Sequence, residues 1–192
     1  MPDVTIRHAH IDDCPTLAGI LILATQHAFR GRVPDNCLKW ITPEESAANW
    51  AKNFQTRKSL KAGQSLFVAE AKAGGIIGFA LLCKFPQPND YGKGIYKNYQ
   101  HELRSLQILP TWQGQSIGRR LISRVANQVM DEGGTHLLVK MLLDNPNMGF
   151  YEHLGAVRLG SNPFSWDGYM TKEIIFGWAD VDNLIVKQKK QG

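Results

Sequence analysis

The sequence lacks several features that mark common protein classes. It has no apolar run of membrane-spanning length, and it does not begin with the charged and then apolar region of a secretion signal. The phosphate-loop pattern Gly-x-x-x-x-Gly-Lys-Ser/Thr is absent, and no Gly-x-Gly-x-x-Gly follows a predicted strand. No Cys/His pair has zinc-ligand spacing. We therefore expect a cytoplasmic protein with no membrane association and no metal, and neither a phosphate-loop NTPase nor a dinucleotide-binding enzyme.

Cysteine is scarce and oddly numbered. The chain has three cysteines, Cys14, Cys37 and Cys83, far apart in the sequence. Disulfide-stabilised secreted domains carry even numbers of cysteines at closer spacing. The pattern therefore predicts a reducing compartment and three small buried thiols.

Charge is moderate and dispersed. The chain has 192 residues, 22 Lys and Arg, 17 Asp and Glu, and a formal net charge of +5. A mildly basic solvated surface, a polyanionic ligand or a nucleic acid could each account for this charge. Few aromatic residues lie among the lysines near the carboxyl end, which disfavours nucleic-acid binding. The length predicts one domain at residues 1–180, followed by a polar tail at 181–192.

The first half of the chain predicts a strand, two helices and a hairpin. Alternation over residues 4–7 predicts a strand, and Asp12 or Asp13 can cap the following helix. The segment 42–45, Thr-Pro-Glu-Glu, is a capping box with proline at the first helical position, and its helix is expected to run to about Thr56. Residues 65–85 then predict two strands joined by a glycine-containing turn.

Two further segments have less regular patterns. The connection 86–100 is long for paired strands and carries three tyrosines, so a binding loop and a plain surface excursion are both open. After residue 155, the pattern predicts a last antiparallel pair that turns around Asn162-Pro163.

The stretch 101–155 is the most informative part of the sequence. It predicts a strand, a turn at 113–118, an amphipathic helix, a second strand and a second helix. Gly133-Gly134 is expected to end the first helix, and Asn145-Pro146 to cap and open the second.

The glycine-bearing turn has a physical use beyond turning the chain. The first backbone N–H groups of a helix have no partner within it, and the helix dipole adds a partial positive charge there. Gly114 and Gly118 would let a pyrophosphate approach this backbone closely. Tight turning alone could also explain both glycines, so the turn by itself leaves both interpretations open.

Two signatures in this stretch resemble the GCN5-related N-acetyltransferase (GNAT) family. The acyl-CoA signature of the family is Gln/Arg-x-x-Gly-x-Gly/Ala after a central strand, and Gln113, Ser116 and Gly118 stand in those places. A second signature resembles Asn-Pro-x-x-x-Phe-Tyr-Glu-x-Leu-Gly, which this chain carries at 145–155. Residues 175–178, Ile-Phe-Gly-Trp, resemble the closing strand of one bacterial branch. Ser116 departs from the glycine that the family prefers.

The resemblance implies a fold, a co-substrate and a reaction. The fold would be α/β (α+β), with a mixed, mostly antiparallel sheet of roughly six or seven strands and about four helices on its two faces. Acetyl-CoA would be the co-substrate. The arginines at 119, 120 and 124 could meet its 3′-phosphate or could form a solvated helix face. Phe29, Trp40 and Trp50 could touch the acceptor or could be core aromatics. The oligomeric state stays open, a homodimer included. The residues implied to bind the co-substrate are Gln107, Ile108, Gln113, Gly114, Gln115, Ser116, Ile117, Gly118, Arg119 and Asn145.

The implied reaction is acyl transfer to an amine by direct attack. The acceptor would be a small-molecule amine or a peptide or protein amine. Glu102, on the strand before the turn, is the candidate general base, although it could equally be a surface carboxylate paired with Arg104 or His101. Tyr151 matches the tyrosine of the family signature and is the candidate acid for the leaving thiolate, with helix packing as its alternative role. A catalytically silent acyl-CoA-binding domain is the other functional hypothesis.

Overall fold

A seven-stranded mixed sheet forms the centre of the computed structural model, which describes residues 3–39, 42–56, 59–72, 74–85 and 95–186. The strand order is β1-β2-β3-β4-β5-β7-β6, and every neighbouring pair is antiparallel except β4 and β5, which are parallel. The strands are β1 (Val4–His8), β2 (Gln64–Ala71), β3 (Gly75–Lys84), β4 (His101–Ile108), β5 (Leu137–Leu142), β6 (Val157–Trp166) and β7 (Tyr169–Trp178).

Four α-helices cover the two faces of this sheet, as expected from the sequence. They are α1 (Cys14–Phe29), α2 (Pro43–Ala51), α3 (Ile117–Asp131) and α4 (Met148–His153). One core cluster joins α3 and α4 to the sheet, and another joins α1 and α2 to the opposite face. The core extends past residue 180, because Val181 and Leu184 of a short 3₁₀ turn are buried in the α3 cluster.

Helix α3 follows directly from its sequence pattern. Its apolar side chains recur every three or four residues, and Leu121, Ile122 and Val125 are fully buried against the sheet. At its end, Gly133 has a φ of +77°, and the amides of Gly133 and Gly134 bond back to the last turn. This is a Schellman motif, which confirms the predicted helix end.

The capping box at Thr42 is also confirmed. Thr42 Oγ1 accepts from the amide of Glu45 at 3.2 Å, and the Glu45 carboxylate accepts from the amide of Thr42 at 3.1 Å. The predicted end was wrong, because α2 ends at Ala51 rather than near Thr56. The chain then leaves the helix for a bridge between Phe54 and Leu60.

The turn between the last two strands was predicted in the wrong place. β6 continues through Asn162 and Pro163 as far as Trp166, and the chain turns at Asp167-Gly168. Both turn residues have positive φ, 47° and 82°, as a two-residue type I′ hairpin turn requires. Pro163 is tolerated because β6 is an edge strand.

The start of α4 was misplaced as well. The N-cap is Asn147, two residues after the predicted Asn145. Asn145 instead forms a local turn, in which its Oδ1 accepts from the amide of Asn147 at 2.9 Å. Side-chain bonding to the backbone two residues on is the competing preference of asparagine, and here it prevails over capping.

All three cysteines are buried and unpaired, as the sequence predicted. Burial raises the pKa of the Cys14 thiol to about 11 and also raises those of Cys37 and Cys83. These thiols are therefore protonated and unreactive at neutral pH.

Candidate active site

A gap opens in the sheet where β4 and β5 separate. The two strands pair only at Glu102–Leu138 and at Leu103–Val139. From Arg104 to Ile108, the edge of β4 that faces β5 has no strand partner among the described residues. Its backbone groups are therefore available to an extended ligand, which would bind as an added strand does.

A cavity of about 330 Å³ lies at this gap. Its volume falls within the range of small-molecule sites. It joins the end of β4, the turn before α3, the start of α4 and one side of α1. Its lining residues are Ala24, Thr25, Ala28, Phe29, Leu106, Gln107, Ile108, Trp112, Gln113, Gly114, Ser116, Ile117, Gly118, Arg119, Asn145, Asn147, Phe150 and Tyr151.

The cavity brings together nearly all of the residues predicted to bind a co-substrate. Of that set, only Gln115 is not among the lining residues. Its side chain donates to the carbonyl of Thr111 at 3.2 Å, and the Gln113 side chain donates to the carbonyl of Ile108 at 3.1 Å. Both glutamine side chains therefore hold the turn in shape.

The backbone of the turn adopts a left-handed conformation at two positions. Gly114 has a φ of +74° and Ser116, the N-cap of α3, has a φ of +63°. The Ser116 side chain makes no capping hydrogen bond. The first amides of α3 are therefore not capped by this side chain, and the helix dipole makes this end of the cavity attractive to an anion.

The three arginines of α3 point in different directions. Arg119 is exposed and lines the cavity. Arg120 instead donates to the carbonyl of Val4, and Arg124 contacts His8 and lies 4.4 Å from the centre of the Phe67 ring. Arg120 and Arg124 therefore join α3 to the first two strands, and of the three arginines Arg119 alone is a cavity-lining residue.

Tyr151, on α4, also lines the cavity. It is 8% exposed, and its ring packs between Phe150 and Trp178. Burial raises the pKa of the phenol well above its ordinary value, so the hydroxyl stays protonated at neutral pH. Among the described residues it has no hydrogen-bond partner. The hydroxyl is therefore available to donate a hydrogen bond to a ligand.

Glu102 is buried but does not line the cavity. It is 4% exposed, lies where β4 and β5 still pair, and bonds through Oε2 to Arg104 at 3.1 Å. Its Oε1 lies 3.6 Å from Nζ of Lys140 on β5. The alternative pairing with Arg104 is thus observed, but in a buried position rather than at the surface.

The predicted aromatic residues separate into two groups. Phe29 lines the cavity, whereas Trp50 packs edge-on against Phe79 in the core at 5.1 Å between ring centres. Trp40 lies outside the described residues, as does the part of the predicted 86–100 loop at residues 86–94.

A set of contacts holds Phe29 in the cavity wall. Its ring meets Trp166 edge-on at 5.4 Å between centres. Beside it, Asn36 donates to the carbonyl of Asp167 at 3.0 Å, and the Cys37 thiol donates to the carbonyl of Trp166 at 3.2 Å. The segment after α1 is therefore tied to the β6–β7 turn.

Sequence reasoning missed several lining residues. Trp112 immediately precedes the signature glutamine, and an aromatic residue at that point was a usable signal. Ala24, Thr25 and Ala28 of α1 line the cavity without having been predicted, since nothing local shows that a helix stripe borders a cavity.

The described part of the chain holds no cluster of three His, Cys, Asp or Glu side chains suited to a metal ion. Within the same residues, no helix is both long and apolar enough to cross a membrane.

Comparisons with known proteins agree with this geometry. Residues 62–155 match the acetyltransferase (GNAT) domain. The chain is 25% identical over 181 residues to YuaI of Bacillus subtilis (strain 168), named an uncharacterized N-acetyltransferase, and the match covers 94% of this chain and 96% of that protein.

Solved structures share the fold. PaiA N-acetyltransferase from Thermoplasma acidophilum, in complex with coenzyme A, has a TM-score of 0.65 at 19% identity, covering 91% of this chain and 98% of its own. YncA from Salmonella typhimurium, with its cofactor acetyl-CoA, has a TM-score of 0.63 at 18% identity, covering 92% and 94%. The domain match over residues 62–155 and the relative along nearly the whole chain lead to one conclusion: this protein is similar to the GCN5-related N-acetyltransferase (GNAT) family of N-acetyltransferases.

Proposed function

We propose that the protein transfers an acetyl group from acetyl-CoA to a primary amine by direct attack. The observation that carries this proposal is the gap between β4 and β5, which joins the amino end of α3 and Tyr151 in one cavity. The amino end of α3 suits a phosphate, and Tyr151 presents a protonated hydroxyl to the same cavity. A long ligand with an anionic end and a reactive thioester end fits such an arrangement.

The residues present fit acetyl-CoA, which supplies an activated acetyl thioester when bound. Backbone amides from Gly114 to Arg119 would hold the pyrophosphate, with the exposed Arg119 guanidinium beside it. Gln107 and Ile108 would pair with the pantetheine arm along the open edge of β4. Asn145, whose side chain is already bonded locally, would contact the same arm. Two proteins of the same fold were solved with coenzyme A or acetyl-CoA, which supports this assignment.

Glu102 and Tyr151 would carry the proton transfers. The acceptor amine has a pKa of about 10 and must first lose a proton. The Glu102 carboxylate would take this proton, directly or through water. The free amine then forms the new C–N bond to the acetyl carbonyl while the C–S bond breaks, and the second proton that the nitrogen loses passes to water. Tyr151 would donate to the leaving thiolate, because burial keeps its phenol protonated. Holding both reactants in one cavity supplies much of the rate.

One observation favours the catalytically silent alternative. Glu102 is bonded to Arg104 and lies near Lys140, and it does not line the cavity. A domain that only binds acyl-CoA would keep the cavity and the α3 turn but would not need this carboxylate. Binding and turnover must therefore be measured separately.

Binding is tested by thermal unfolding with acetyl-CoA. At about 100 times Kd, a ligand that binds only the folded state adds about 2.7 kcal/mol. For a domain of this size, that corresponds to an increase in Tm of about 5–10 °C. An unchanged Tm at saturating acetyl-CoA would reject the cavity as a CoA site.

Turnover is tested by CoA release over a panel of polyamines, aminoglycosides, amino acids and peptides. Glu102→Gln should lower kcat by about 10²–10⁴-fold if Glu102 is the base. Glu152→Gln is a matched control, because Glu152 neighbours Tyr151 but is exposed and is not among the cavity-lining residues. A Tm increase with acetyl-CoA but no amine-dependent CoA release would favour the silent domain.

A further inference from the structure

Three neighbouring strands bring a chain of charges together beside the gap. Lys140 Nζ on β5 lies 3.6 Å from Glu102 Oε1 on β4 and 3.9 Å from Glu173 Oε2 on β7. Arg104 completes the row by bonding to the other oxygen of Glu102. One lysine is thus shared between two carboxylates, of which one is the proposed general base.

The register of the sheet explains this arrangement. Glu102 pairs with Leu138, and Lys140 lies two residues further along β5, so all three share one face. Lys140 pairs with Ile175, two residues from Glu173 on the same face of β7. This is the face that α1 and α2 cover. Lys140 is also the first residue of β5 beyond its pairing with β4, so it stands where the gap opens.

We infer that Lys140 is a positioning residue for Glu102: its ammonium holds the Glu102 carboxylate in place beside the gap, and Glu173 attracts the same ammonium. This inference rests on the proposed function, in which Glu102 is the base.

The energetic reason lies in burial. Glu102 is nearly inaccessible to water, and a buried carboxylate stays ionised only when cations or hydrogen bonds compensate for the lost hydration. Arg104 provides one such contact but is itself half-exposed, whereas the Lys140 side chain is only 21% exposed and is screened less by solvent. Lys140 is therefore the better-placed counter-charge.

Glu173 sets how much of this charge Glu102 receives. Burial raises the pKa of Glu173, with Glu102 acting in the same direction and Lys140 and Arg104 opposing it. Among the described residues, Cys83 on β3, the partner of Glu102 in the ladder, and Tyr99, which packs against Leu138, also face this row, and burial raises the pKa of both groups. Lys140 and Glu173 consequently act on Glu102 with opposite signs.

This opposition gives a direct test without an acceptor. In full-length protein with ¹³C-labelled glutamate side chains, NMR follows the titration of the Glu102 and Glu173 carboxyls, assigned with Glu102→Gln and Glu173→Gln. Lys140→Met should raise the midpoint of Glu102 by about one pH unit, because a cation within about 4 Å is lost. Glu173→Gln should lower it by about half a unit, because a like charge is lost.

Two controls separate charge from packing. Lys172→Met removes a positive charge next to Glu173 in sequence, but Lys172 is exposed on the opposite face of β7, so the midpoints should not move. Lys140→Arg keeps the positive charge, so its Glu102 midpoint should lie close to that of the wild type. If Lys140→Met does not fold, two results still test the inference. The Glu102 midpoint should stay near its wild-type value in Lys140→Arg, and it should fall in Glu173→Gln.

The same variants are then assayed by acetyl transfer to the fastest amine of the panel. The acid limb of kcat/KM against pH should move with the Glu102 midpoint. At pH values below this limb, kcat/KM of Lys140→Met should therefore be about tenfold lower than that of the wild type. If the Glu102 midpoint does not move in these variants while the wild type transfers acetyl groups, the role of Lys140 is overturned. The proposed function is then unaffected. If the midpoints shift but the wild type transfers acetyl to no amine, the proposed function is overturned instead, and with it the positioning role of Lys140 in that reaction.

Discussion

Ser116→Gly should stabilise the protein, although it removes a side chain at the centre of the candidate site. Ser116 has a φ of +63° and a ψ of 10°, a left-handed conformation in which the Cβ of an L-residue crowds the next carbonyl. Its hydroxyl makes no capping bond that the change would remove. The family signature prefers glycine at this position, and the backbone conformation explains that preference physically.

The magnitude follows from two opposing effects. Relief of left-handed strain contributes about 1–2 kcal/mol. The greater freedom of glycine in the unfolded chain offsets about 0.5–1 kcal/mol of this. The free energy of unfolding should therefore rise by about 0.5–1 kcal/mol, and Tm by about 1–4 °C for a domain of this length.

The assay is reversible thermal or urea unfolding of three variants beside the wild type. Ser116→Ala keeps the strained conformation and should stay within about 0.5 kcal/mol of the wild type. Gly114→Ala should have the opposite effect, because Gly114 has a φ of +74°, which an L-residue disfavours. An added Cβ there would meet no atom within 4 Å, so no steric clash contributes. Its cost should therefore be the backbone effect alone, about 0.5–1 kcal/mol of destabilisation.

A Ser116→Gly variant less stable than the wild type would refute this reasoning. It would mean that the serine side chain contributes contacts that outweigh the strain. Equal stabilisation by Ser116→Ala and Ser116→Gly would also contradict it, because only glycine relieves the left-handed conformation. In either case, the increase in Tm with acetyl-CoA should persist in Ser116→Gly, since the backbone amides are unchanged.

Two further predictions concern catalysis and pH. Tyr151→Phe should lower kcat of acetyl transfer by about 10²-fold or more at a nearly unchanged Tm, since the hydroxyl bonds to no described residue; a wild-type kcat would remove Tyr151 from the proposed mechanism. Burial acts to raise the pKa of Asp13, but hydrogen bonds from Arg7 and from the His10 amide outweigh it and leave that pKa below its ordinary value. The ion pair should therefore stabilise the fold above about pH 4 and lose this effect on further acidification, so unfolding of Arg7→Met should depend less on pH between about 3 and 5. An identical pH dependence in Arg7→Met and wild type would contradict this.

The candidate site shows how far local patterns reach. The turn at 113–118 and the helix after it were predicted because amphipathic periodicity and terminating glycines are local signals. Tyr151 and Asn145 also lie at the cavity, as the resemblance implied, but the role of Asn145 as a helix cap was wrong. An Asn-Pro pair can open a helix or form a local turn, and the choice depends on how the following residues pack.

The β6–β7 hairpin shows a different kind of error. The pairs Asn162-Pro163 and Asp167-Gly168 are both turn-forming by composition, and the first was chosen. Proline is compatible with an edge strand, but whether β6 lies at an edge depends on strand order, which is a property of the assembled sheet. Asp-Gly was the better local signal, because this pair is typical of two-residue hairpin turns, which require positive φ at both positions.

By itself, the sequence determined the secondary-structure elements of this protein. Apolar spacing and capping residues indicated the helices, and apolar runs indicated the strands around the glycine turn. These are short-range interactions, so a window of several residues contains them. Only the tertiary structure decided that β4 and β5 part after two paired positions, and that Glu102, Lys140 and Glu173 meet beside the opening. These residues come from three strands far apart in the chain, and their proximity arises from sheet register and burial, which no local pattern encodes.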